Sequence, residues 1–329
     1  MLQQTRVEAV VGPYGRFMAA FPTMGALASA PLADVLAQWS GLGYYRRARL
    51  LHAGARYVTA EHSGQLPRTR AALEKVPGIG AYTAGAILSM AYGQREAALD
   101  ANVTRVVARL FAVAEPTSAS GRSQVRRCAQ QLVECSRPGE INEALMDLGS
   151  AICTAKSANC VACPLQRLCR GFESGNPTSI AGARPRKPPR RIELACVVVR
   201  DGARILLVRR PEDDALLGGL WDLPTVETLE GDTAPVEQRL GDLLFERIGR
   251  QVAVRDVGQT VPHDIVGRKI VARVYVAEFR AGRGALPSDV RFLTEQEMGK
   301  VGVPALPVKI LTALRRREPP RSPAVPGAA

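Results

Sequence analysis

From residue 1 to about residue 172 the apolar positions recur at intervals of three and four, the spacing of amphipathic helices. Turn signals separate the segments, among them Phe21-Pro22-Thr23, Gly64-Gln65-Leu66-Pro67 and Ser136-Arg137-Pro138-Gly139. The helical pattern begins at once. Leu2, Val7, Val10 and Val11 form an apolar stripe with no Ser, Thr, Asp or Asn ahead of it to accept the first free N–H groups of a helix. SGNPTSIAGARPRKPPRR (174–191) then breaks the pattern, and its Pro, Gly and Arg content predicts an extended basic linker over 173–191. Beyond it the period falls to two. LACVVVRDGARILLVRR (194–210) carries two β-branched runs around Asp201-Gly202, a hairpin signal. Further strands are predicted at 252–261 and 270–279, and helices at 234–248 and 305–316. The expected fold is multi-domain: an all-α domain over 1–172, the linker, an α+β domain over 192–316, and a disordered tail over 317–329.

Composition narrows the partners. The 329 residues carry a net charge of +13, with 46% hydrophobic and 5% aromatic side chains. A basic protein of this kind predicts an anionic partner, nucleic acid first, against the plainer alternative of a solvated Arg-rich surface. No apolar run approaches the ~20 residues of a membrane helix, so no membrane partner is expected. Arg6 and Glu8 interrupt the first hydrophobic stretch, which argues against a signal peptide and for a cytoplasmic, nucleoid-associated protein.

The seven cysteines are an odd number, and four of them crowd into CTAKSANCVACPLQRLC. Cys153, Cys160, Cys163 and Cys169 are separated by six, two and five residues, which points to a metal site in a reducing compartment rather than to disulfides. Zinc more often uses two separate C-x-x-C pairs, whereas one wrapped loop with a single C-x-x-C suits a [4Fe–4S] cluster; zinc remains the alternative. Lys156, Arg167 and Arg170, in or beside the loop, would then be presented to phosphates. Cys128, Cys135 and Cys196 lack such spacing and are expected to be buried apolar residues.

Pro77-Gly78-Ile79-Gly80 lies between two helical segments. Gly78 and Gly80 permit a tight turn whose N–H groups face a phosphate beside the next helix start. MLQQT, GLGYYRRAR, PGIGAYTA, DANV and the cysteine loop follow in this order over about 170 residues, and together they resemble the helix-hairpin-helix, iron–sulfur DNA glycosylases. Within that superfamily the motifs are similar to those of the A/G-specific adenine DNA glycosylases (MutY family). The resemblance implies double-stranded DNA as partner, with adenine removed opposite 8-oxoguanine or guanine by a monomeric enzyme.

The chemistry fits that implication. A stacked base must be flipped out to be reached, and cleaving its N-glycosidic bond builds an oxocarbenium-like sugar that a carboxylate stabilises. By resemblance Asp100 is that carboxylate, and Asn102 and Tyr82 line the site. The competing reading of Asp100 is a helix N-cap, and the two roles are compatible. Endonuclease III-type enzymes have a Schiff-base lysine where this chain has Tyr82, which implies a monofunctional glycosylase. The resemblance further assigns Tyr44 as a wedge beside the oxidised guanine and Gln4 as the residue filling the stack. Thr5, Leu42, Arg47, Gly78, Gly80 and Lys156 complete the expected DNA contacts.

LLGGLWDLPTVE (216–227) resembles part of the family's Nudix-like 8-oxoguanine-recognition domain. VEQRLGDLLFERIG lacks the R-E-x-x-E-E glutamates of a Nudix hydrolase, which favours recognition over hydrolysis. His263 matches the histidine of the family's F-S-H loop, but Val261 and Pro262 replace its Phe and Ser. The family motif S-E-V-M-L-Q-Q-T places a general-acid glutamate two positions before its Met, so the start at Met1 reads as internal. On that expectation this chain binds lesion DNA and excises adenine slowly or not at all, and in-frame S-E-V codons upstream are anticipated. The alternatives are a catalytically dead lesion-binding protein and an endonuclease III-like lyase.

Overall fold

The computed structural model describes residues 1–181, 188–214, 216–229, 231–265, 267–279 and 286–316. The expected tail at 317–329 and part of the expected linker lie outside them. In chain order the first helices are α1 (Val7–Ala20), α2 (Met24–Ser29), α3 (Leu32–Gln38), α4 (Arg46–His62), α5 (Arg70–Leu73) and α6 (Ala81–Ala86). A π-helical turn, Ile87–Ala91, follows α6; then come α7 (Ala101–Leu110), α8 (Ala119–Leu132), α9 (Pro138–Ala151) and α10 (Arg170–Glu173). The remainder contains strands β1 (Arg190–Asp201), β2 (Arg204–Arg209), β3 (Trp221–Asp222) and β4 (Thr225–Thr228), then α11 (Val236–Ile248). After it come β5 (Arg255–Ile265), β6 (Arg268–Glu278), β7 (Val290–Leu293), α12 (Glu295–Met298) and α13 (Ala305–Arg315).

Packing groups these elements into two compact units, Met1–His52 with Lys187–Ala329, and Ala53–Arg186. The first unit is built on a mixed sheet of order β3-β2-β1-β6-β5, with β4 paired to β1 and β7 to β2. The hairpin expected at Asp201-Gly202 is present, with Asp201 opposite Arg204. β1 and β6 are parallel, and β1 is covered on both faces. Ala195, Val197 and Val199 pack with Leu240 and Leu244 of α11, and Cys196 and Val198 with Ile310 and Leu311 of α13. This is why its sequence reads as an unbroken apolar run rather than an alternation. The N-terminal residues belong to the same unit: Tyr45 donates to the Val303 carbonyl at 2.9 Å, and a Cβ on Gly302 would meet Leu36 and Leu220.

Two expectations are corrected. The helix expected from Leu2 starts only at Val7, because residues 1–5 turn and the Met1 and Gln3 carbonyls are taken by a side chain described below. Cys128 and Cys135 are half-buried; only Cys196 is buried, and burial pushes its thiol up to about 12.

In the second unit α7 is the axis. Val103, Val106 and Val107 pack with Val125 and Ala129 of α8 and Leu145 and Leu148 of α9. Leu73, Ala84 and Leu88 form a smaller core under the α5–α6 turn.

Candidate active site

α7 starts at Asp100, whose backbone is extended and whose Oδ1 accepts the Val103 N–H at 2.7 Å. The cap role and the proposed chemical role thus fall on one carboxylate, held rigid and favoured by the helix dipole. Its Oδ2 accepts from Asn102 Nδ2 at 3.2 Å, and Asn102 Oδ1 in turn accepts from Arg105 Nη2 at 2.9 Å. Arg105 also donates to the carbonyls of Gly149 and Cys153, at 2.6 and 2.8 Å. α9 can come this close because residue 149 is glycine: a Cβ there would stand 2.7 Å from that of Asn102.

Tyr82 lies in the first turn of α6, half-buried, with its hydroxyl 3.7 Å from the Met146 sulfur. Burial and the negative charge of Asp100 both raise its pKa, so it remains a neutral phenol beside the carboxylate. A cavity of about 330 Å³ opens next to it, walled by Arg70, Glu96, Leu99, Arg126 and Gln130. Gly78 sits at φ +87°, a left-handed turn that a side chain would strain, while Gly80 is extended and precedes α6; both are exposed.

The four-cysteine loop is the other end of the same network. Cys153, Cys160, Cys163 and Cys169 line one small cavity together with Arg109. Among the described residues no three His, Cys, Asp or Glu side chains form a group that could hold a metal ion. Burial raises the Cys160 thiol pKa, and the other three sulfurs raise it further, as expected when four ionisable thiols face one space. Arg109 is 1% exposed; its Nη1 lies 3.3 Å from Cys153 Sγ, and its buried Nη2 has no hydrogen-bond partner. An orphaned guanidinium N–H beside four thiols fits an anionic thiolate-held group. Lys156, Arg167 and Arg170 are exposed around it.

Arg105, Arg109 and Asn142 were not singled out by the sequence reading. Asn142, 1% exposed, accepts from the Ala98 N–H at 3.0 Å and donates to Ser89 and the Glu96 carbonyl, fixing the segment that leads into Asp100. The available signal was a polar residue on the apolar face of α9, in helical step with Leu145 and Gly149.

The candidate DNA contacts divide. Gln4 and Tyr44 are exposed and adopt left-handed backbones, φ 61° and 48°. Leu42 and Tyr45 are buried. Thr5 and Arg47 are half-buried, and Arg47 donates to Thr5 Oγ1 at 2.8 Å. On β5, His263 lies 3.3 Å through Nδ1 from Lys309 Nζ of α13; burial, then Lys309, lowers its pKa, against a smaller opposing effect of Asp264.

Comparison with known proteins divides the chain by family rather than by packing, the first match running through residues of both compact units. Residues 1–135 match the HhH-GPD superfamily base excision DNA repair protein family, and residues 194–313 match the NUDIX domain family. The human adenine DNA glycosylase is 35% identical over 97% of this chain and 67% of its own length. The mouse adenine DNA glycosylase is 36% identical over 92% and 68%. That of Mycobacterium tuberculosis is 39% identical over 75% of this chain and 80% of its own length. A capped carboxylate beside a neutral tyrosine, a glycine hairpin, a four-thiol loop and these likenesses converge: the chain belongs to the adenine DNA glycosylase family.

Proposed function

We propose that the protein is a monofunctional base-excision glycosylase that removes adenine opposite 8-oxoguanine or guanine in duplex DNA. The observation that carries this reading is Asp100. Its carboxylate is oriented by the Val103 N–H and by Asn102, beside a phenol held neutral. A fixed negative charge of this kind stabilises a sugar cation as the bond to a flipped base breaks, without itself moving during the step. Tyr82 supplies a hydroxyl but no amine, so the site has no Schiff-base nucleophile at that position. Asn102 is held by Arg105, and Arg105 by the Cys153 carbonyl, so the cysteine loop supports the carboxylate through two side chains.

Cys153, Cys160, Cys163 and Cys169 would hold a [4Fe–4S] cluster, with Arg109 against its negative charge. When bound, such a group cross-links the loop and so fixes where Lys156, Arg167 and Arg170 meet phosphates. The β-rich unit, with His263 on β5, would read the oxidised guanine.

Single-turnover excision tests the reading, with protein in excess over duplexes bearing adenine opposite 8-oxoguanine, guanine or thymine. Alkali-labile sites at adenine in the first two, with none opposite thymine and no borohydride-trapped adduct, are expected. Strand cleavage without alkali, or trapping on abasic DNA, would instead place the protein with the lyases.

A further inference from the structure

Arg47 looks like a phosphate contact in sequence, one of three arginines after a tyrosine pair, yet its guanidinium is turned inward. Nη1 donates to the Met1 carbonyl at 2.8 Å and to the Gln3 carbonyl. Nη2 donates to Thr5 Oγ1 at 2.8 Å, and to the carbonyls of Leu42 and Gly43 at 3.3 and 3.4 Å. The Arg47 Cζ lies 5.5 Å from the centroid of the Trp39 ring and 5.3 Å from that of the Tyr44 ring, the distances of cation–π contact. Trp39, 1% exposed, also donates its indole N–H to the Gly43 carbonyl at 3.0 Å. One planar fork therefore ties together two loops about forty residues apart in the chain.

Each tied loop presents one exposed non-glycine residue in the left-handed region, Gln4 and Tyr44, a conformation glycine adopts most easily. Strained residues persist where their surroundings over-determine them, and here those surroundings are largely a single side chain. We propose that Arg47 is a positioning residue: it locks Gln4 and Tyr44 as a preformed pair that meets the lesion, and it makes no phosphate contact of its own. This rests on the reading of Gln4 and Tyr44 as lesion contacts, and it assigns to a third residue the task of holding them in register before DNA arrives.

The test uses the full chain, Arg47→Met, Arg47→Lys and Thr5→Val. Binding is measured against duplexes with and without 8-oxoguanine opposite a non-hydrolysable adenosine analogue, across a salt series. Lys keeps the charge but cannot reproduce the fork. Both Arg47 variants are expected to lose about 10-fold in lesion-over-plain discrimination, as when the competent loop arrangement falls to about a tenth of molecules. The salt slope should stay unchanged, and amide exchange at residues 2–5 and 42–45 should rise. Thr5→Val, which removes one of the Arg47 bonds and the hydroxyl's own bond to the Gln3 carbonyl, should show a smaller loss in the same direction, and it carries the test if Arg47→Met does not fold. Rescue by Lys, or a salt slope reduced by about one in all duplexes, would overturn the proposal and make Arg47 a phosphate contact. If the unmodified chain itself does not discriminate lesion from plain duplex, the lesion reading fails. Amide exchange alone then decides the clamp, and unchanged exchange in the variants refutes it.

Discussion

Replacing Asp100 by Asn removes one charge and almost no volume, and the surrounding hydrogen bonds set what that costs. Asn is as good an N-cap as Asp, so its Oδ1 can keep the Val103 N–H now held at 2.7 Å. Its Nδ2 must then point where Oδ2 was, toward Asn102 Nδ2 at 3.2 Å, and two donors face each other. Asn102 cannot turn round to resolve the conflict without loss, because its Oδ1 is held by Arg105 at 2.9 Å. Facing donors in a half-buried site cost about 1–2 kcal/mol, a fall of roughly 2–8 °C in the melting temperature of the unit that contains α7. Excision should fall further, by about 10²–10³-fold, the usual loss on removing one preorganised electrostatic group.

A paired substitution separates the two effects. In Asp100→Asn/Asn102→Asp a carboxylate at 102 accepts from both the new amide at position 100 and Arg105, so most of the lost stability should return. The charge, however, now sits two residues into the helix, and excision should stay low. Thermal unfolding and single-turnover excision measure the two quantities independently. Unaltered stability of Asp100→Asn would show that the Asn102–Arg105 chain does not constrain the site. Recovered excision in the pair would show that the carboxylate's position at the cap is not what the reaction needs.

Three further outcomes are expected. Protein purified without oxygen should carry about four iron atoms and absorb broadly near ~400 nm, and Cys163→Ser should lower iron content and melting temperature together; stoichiometric zinc would contradict the cluster. Gly149→Ala places a Cβ 2.7 Å from that of Asn102, so it should destabilise by about 1–3 kcal/mol and slow excision, read by melting and by the same single-turnover assay. Because burial and Lys309 lower the His263 pKa, the folded state binds fewer protons, so its contribution is intact above about pH 6.5 and is lost as pH falls below it. Lys309→Met should reduce that loss without abolishing it, as measured by denaturant midpoints at about pH 7.5 and 5.

The fold was legible where its causes are local. Asp201-Gly202 between β-branched runs has few alternatives to a hairpin, and both strands formed there. The four cysteines announced one loop by spacing alone, and they line one cavity. The start of α1 was misjudged because apolar spacing says nothing about competitors for backbone carbonyls. The Met1 and Gln3 carbonyls go to Arg47, a partner that lies beyond any local window. In GLGYYRRAR the choice of Tyr44 over Tyr45 rests on the family resemblance, and the structure leaves Tyr44 43% exposed and Tyr45 4% exposed. Adjacent residues on a chain face opposite ways, and composition cannot say which faces in.

The residues hidden most completely are Arg105 and Arg109, and the physics explains why. In sequence, TRVVARL reads as an apolar helix dotted with solvated cations, since arginine is rarely buried. In the structure they are 9% and 1% exposed. Burying a guanidinium is costly unless its donors are satisfied, and here backbone carbonyls do most of it: Gly149 and Cys153 for Arg105, Thr154 and Ile180 for Arg109, whose Nη2 alone is left without a partner beside the cysteines. Carbonyls are invisible to a reading of side chains, because every residue has one. The two arginines fall one helical turn apart on α7, with Asp100 at its start and the cysteine loop at its side. A single ten-residue helix thereby makes the carboxylate's orientation depend on the loop's conformation. A change in the cysteine loop should therefore reach the chemistry, through Cys153, Arg105 and Asn102, as well as the fold.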